Sequence, residues 1–133
     1  PSLFAKNTKE VEAIAINAVM DAERALGFIP MDISVEKRGY DIESRDPSGA
    51  SRLRFIEVKG RIDGSDTVTI SKNEILTALN QPEQFILGIV HVADAQAKEI
   101  AYVREPFGRE PDFGATSVNY KLSELLAKGE QPR

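Results

Sequence analysis

The stretch GYDIESRDPSGASRLRFIEVKGR, residues 39–61, reads as two strands joined by a turn. Asp46, Pro47 and Gly49 are the residue types that reverse a chain: Asp through a local side-chain hydrogen bond, Pro through its fixed φ, Gly through access to positive φ. Strands are therefore predicted over 39–44 and 52–59. Side chains alternate along a strand, so Leu53, Phe55, Glu57 and Lys59 share one side, and Arg54, Ile56 and Val58 share the other. On the first side two apolar residues are followed by an acid and a base. Such a strand is expected to be anchored in the core by Leu53 and Phe55 and then to leave it for a cleft.

Upstream, Asn7 and Glu10 match a capping box, and Val11, Ile14, Ala15, Ala18, Val19, Ala22 and Leu26 recur at helical spacing. This predicts a first helix ending near Gly27, with a short strand over 32–35 after it. Downstream, TVTI at 67–70 is a strand, and Ser71 with Glu74 three residues on opens a second helix through another capping box. In that reading Glu74 serves the cap and Asn73 is exposed in the first turn. QFILGIVHV at 84–92 is almost continuously apolar, as in a strand covered on both faces, and it holds His91, the only histidine, in or beside the core. A further strand is predicted over 99–103. The segment 104–120, with Pro106, Pro111 and two glycines, is expected to be an ordered loop or arm before a short helix over 121–128. Helix, four strands, helix and two strands predict an α/β sandwich on a mixed central sheet flanked by helices.

The chain's 133 residues suit one domain, with a core over about 8–103 and a C-terminal arm over 104–133. With 41% hydrophobic and 29% charged residues, neither disorder nor membrane spanning is expected, and no signal peptide is evident. The absence of cysteine excludes disulfides, thiolate metal sites and a cysteine nucleophile, and it fits an intracellular, cytoplasmic setting. A start at Pro1 suggests a module excised from a longer protein. A net charge of −4 argues against purely electrostatic capture of nucleic acid, but not against an enzyme that offsets its carboxylates with divalent cations.

Antiparallel pairing brings Asp41, near the start of one hairpin strand, to the same end as Glu57 and Lys59, near the end of the other. Two carboxylates there suit a hard cation, Mg²⁺ or Mn²⁺, whose remaining positions are filled by waters and substrate phosphate. Lys59 would orient or help deprotonate an attacking water and offset transition-state charge, a grouping suited to phosphodiester hydrolysis. Arg52, Arg54, Arg61 and Lys72 form either a solvated basic face or phosphate contacts flanking that site. His91 alone makes no zinc site.

The pattern Asp41…Glu57-Val58-Lys59, on a hairpin after a long first helix, resembles the PD-(D/E)XK nuclease superfamily, which implies a restriction-endonuclease-like fold. More closely, GYDI, FIEVKG and ISKNEI with their spacing resemble the domain family named for the C-terminal region of the plant protein NO VEIN, over residues 11–103. The superfamily resemblance implies Asp41 and Glu57 as metal ligands, the Val58 carbonyl as a third, Lys59 as the catalytic lysine and Glu12 as the glutamate of the first helix. Tyr40 stands where the superfamily carries its proline. The implied function is Mg²⁺-dependent cleavage of DNA by a module of a helicase-linked defence or repair protein, with a homodimer open to it because many such nucleases dimerise. The rival expectation is a catalytically inactive module of the same fold that binds nucleic acid or a protein partner.

Overall fold

The computed structural model describes residues 3–133, with side chains from residue 8 onward. Its elements in chain order are α1 (Leu3–Ala25), β1 (Ile29–Asp32), β2 (Ile42–Arg45), β3 (Arg54–Ile62), β4 (Thr67–Ser71), α2 (Lys72–Asn80), β5 (Phe85–Ala93), β6 (Gln96–Arg104), β7 (Ser117–Lys121) and α3 (Leu122–Ala127). The main sheet has the order β1-β2-β3-β5-β6, and β4 with β7 forms a separate two-stranded sheet. Only the β3–β5 pair is parallel within the main sheet, so the sheet is mixed as expected.

The alternation in β3 divides the protein into two layers. Ile56 and Val58 pack with Ala15 and Val19 of α1, while Phe55 packs on the other side with Ile70, Ile75 and Leu125. The predicted turn forms: Asp46 accepts from the N–H of Ser48 at 2.9 Å and of Ser51 at 3.0 Å, and Gly49 takes φ 75°. Gly60, at the end of FIEVKG, lets α1 lie against the strand; a Cβ there would sit 2.8 Å from Val11 Cγ1 and 3.1 Å from the Val11 carbonyl.

Four expectations are corrected. The first strand lies at Ile29–Asp32 and not at 32–35, because Asp32 Oδ1 accepts from the Ser34 N–H and hydroxyl and turns the chain into a 3-10 helix over Ser34–Glu36. Leu53 does not anchor the strand: it precedes β3 and is exposed, and its carbonyl accepts from the Gln84 amide. Segment 104–120 is not all loop, since its end forms β7, and Phe107, Val118, Tyr120 and Leu125 pack into the same layer as Phe55. The helix already runs through Asn7, so no start forms there; the Asn7 side chain lies outside the described residues.

Candidate active site

Asp41 sits one residue before β2 begins. Its N–H donates to the Ile56 carbonyl and its carbonyl accepts from the Ile33 N–H, which fixes its backbone between two neighbours. Its Oδ2 accepts from the Val58 N–H at 2.9 Å, in the place a backbone carbonyl would have taken had β2 begun earlier in the chain. In an extended strand the N–H and C=O of one residue point to the same side, so the Val58 carbonyl also faces the edge that β2 leaves uncovered.

Glu57 and Lys59 project from the opposite face to Ile56 and Val58, toward α2. Lys59 Nζ lies 3.2 Å from Glu57 Oε2 and 3.3 Å from Glu74 Oε1. Glu74 thus does more than the cap assigned to it: the same Oε1 accepts from the Ser71 N–H at 2.9 Å, completing the predicted capping box. Gly39, at φ 93°, is wedged against Thr77 and the Asn73 carbonyl, which brings the segment leading to Asp41 against the same helix. Tyr40, at the proline position, stacks on Phe55 with ring centroids 4.6 Å apart and donates to Glu43. It packs and takes no part in the carboxylate group.

Burial and the charge of Asp41 push the Glu57 carboxyl well above its ordinary value. Burial also raises Asp41, against the opposing influence of the Val58 N–H and Lys59. For Lys59 burial favours the neutral amine, but Glu57 and Glu74 outweigh it and hold the ammonium form. Two acids that resist ionisation beside one ammonium lack cationic charge, and their donor atoms are all oxygen. Asp41, Glu57 and the Val58 carbonyl therefore fit a hard divalent cation. No three His, Cys, Asp or Glu side chains converge as ligands among the described residues; a cation here would rest on two carboxylates and a backbone oxygen.

These groups line an open cleft of about 1500 Å³, with Glu12 of α1 and Arg61 on its walls. Glu12 is exposed and favours the charged form of Arg61, whose guanidinium burial pushes down. Of the basic residues expected to contact phosphate, Arg52, Arg54 and Lys72 are not brought together with them. Arg54, expected to meet phosphate, faces α1, donates to both carboxylate oxygens of buried Glu23 at 2.8 and 2.9 Å, and lies over the Phe28 ring. Arg52 pairs with Glu83 ahead of β3, and Lys72 begins α2 with its N–H on the Thr116 carbonyl; neither lines the cleft. His91 is half-exposed between Glu99 at 2.8 Å and Asp63 at 2.6 Å, which raise its pKa, beside a separate smaller hollow.

The family model described as protein NO VEIN, C-terminal, matches residues 11–103. The chain belongs to this family. The NO VEIN C-terminal match takes in Glu12, the hairpin, α2 and the strands through β6 that frame the cleft. No curated protein matches the chain. Among solved structures, Archaeoglobus fulgidus Hjc, a Holliday junction resolvase from an archaeal hyperthermophile, superposes with a TM-score of 0.62 over 90% of each chain at 12% identity. The chain thus has the fold of that resolvase, the restriction-endonuclease-like fold that the motif resemblance implied. No helix among the described residues is long and apolar enough to cross a membrane.

Proposed function

We propose that this domain hydrolyses DNA phosphodiester bonds with the help of Mg²⁺ or Mn²⁺. The observation that carries the reading is the convergence of Asp41, Glu57 and Lys59 at the point where β2 stops short of β3. Asp41, Glu57 and the Val58 carbonyl would hold the cation. Once bound, it would supply a water of lowered pKa and a counter-charge for phosphate oxygens. Lys59, held as ammonium, would orient that water and stabilise the charge that builds on the phosphorus-bound oxygens. Glu12 and Arg61 would flank the substrate, Arg61 as a phosphate contact. The superfamily fold, the oxygen donor set and the open cleft all support this reading. A role as one module of a larger, helicase-linked defence or repair protein is part of the same proposal.

The test is incubation with Mg²⁺ or Mn²⁺ and single-stranded, duplex or branched DNA. At least one substrate is expected to be cut, with Asp41→Ala and Lys59→Ala each losing about 100-fold or more in rate. Folded protein that cuts none of them and binds neither metal overturns the proposal and leaves the non-catalytic module in its place.

A further inference from the structure

Lys59 has two carboxylate partners, and they are not equivalent. Glu57 sits on the same strand with only 4% of its side chain exposed and is one of the two acids a cation would draw on. Glu74 stands on α2, and its Oε1 is already fixed by the Ser71 N–H. That anchor is reciprocal, because the Ser71 hydroxyl accepts from the Glu74 N–H at 3.1 Å. A carboxylate oriented toward a cation loses much of its freedom to hold an ammonium, whereas one tied into a helix cap keeps its position.

We infer that Glu74 is the positioning residue for Lys59, holding its ammonium over the cleft when the cation engages Glu57, and that the Ser71 cap is what keeps Glu74 in place. The inference rests on the reading of Lys59 as the residue that meets water and phosphate. It deepens that reading by giving α2 a part in the chemistry. The α2 contacts point the same way: the helix turn that carries Glu74 also receives Gly39, two residues before Asp41, and the Asn73 amide reaches the Lys37 carbonyl at 3.4 Å. One helix end thereby sets the spacing between Lys59 and the segment bearing Asp41.

Glu74→Gln is the discriminating variant, since glutamine still caps a helix at this position but carries no charge. The first readout is independent of cleavage. The Lys59 ammonium gives a nitrogen–proton NMR signal only while hydrogen bonds slow its exchange with water. In the parent this signal is expected to persist at saturating Mg²⁺, and in Glu74→Gln to vanish while the melting temperature is retained. The second readout is single-turnover cleavage at saturating metal, expected to fall about 10- to 100-fold in Glu74→Gln and to fall no further when the change is added to Lys59→Ala. Should Glu74→Gln fail to fold, Glu74→Asp, which withdraws the charge by one methylene, must show the same losses. A Lys59 signal that survives Mg²⁺ in the variant, or an unchanged rate, overturns the inference. A parent that cuts no DNA overturns the proposed function instead, and the NMR comparison still decides the role of Glu74.

Discussion

Burial opposes the ionisation of both Asp41 and Glu57, and the Asp41 charge adds to it at Glu57, so the metal-free protein holds two carboxyls raised above their ordinary values. A raised carboxyl favours folding fully below its unfolded value, and that contribution is lost as pH rises through the folded one. Glu57→Gln is therefore expected to be more stable than the parent by about 0.5–2 kcal/mol at pH 7 in chelator, in urea unfolding. The gain should shrink as pH falls from the raised folded value toward the unperturbed glutamate value of 4.5, and be gone below it. Mg²⁺ should stabilise the parent and leave the variant nearly unchanged, because only the parent keeps both acids. Lys59 retains Glu74 as a partner in this variant, which isolates the acid's own burden. At this scale the sequence carried Asp41, Glu57 and Lys59 through strand alternation and hairpin pairing. It carried Glu74 only as a cap, because nothing local says that a side chain capping α2 also meets one on β3. Glu23 was equally hidden: it follows Ala15 and Val19 at four-residue steps on the apolar stripe, and only its partners Arg54 and Tyr102 explain an acid there.

Gly60 governs how closely α1 approaches β3. Filling it with a methyl group forces Val11 and Ala15 outward and shifts the helix face bearing Glu12. Gly60→Ala is expected to cost about 1–3 kcal/mol in urea unfolding and to lower cleavage beyond what reduced stability explains. Elements with strong local signals were legible: the turn at Asp46, the capping box at Ser71 and the apolar run of β5. Their failures have local causes as well. The Asx turn at Asp32 ends β1 where β-branched residues alone predict a strand, and β7 lies in a segment rich in Pro and Gly whose partner β4 is some fifty residues away in the chain. Pairing at that separation leaves no mark in a sequence window.

Across the whole molecule, Arg54 and Arg61 of β3 have different surroundings, a buried acid for the first and the cleft for the second. Arg54 joins α1, β3 and β6 through Glu23 and Tyr102, and burial with the Glu23 charge drives the Tyr102 phenol far up. Arg54→Ala should destabilise the fold by about 3–5 kcal/mol, since it strands a buried acid. DNA affinity measured against salt should keep its slope in that variant. Arg61→Ala should do the reverse, leaving stability nearly intact and reducing the salt slope by about 1. The hairpin adds a consequence of its own. β3 has nine residues and β2 only four, and the long arm outruns the short one at Val58. The proposed reactivity depends on an interruption. Had the shorter strand been knitted on for two more residues, the sheet would gain hydrogen bonds, Asp41 would give up its amide, and the same fold would close over its own chemistry.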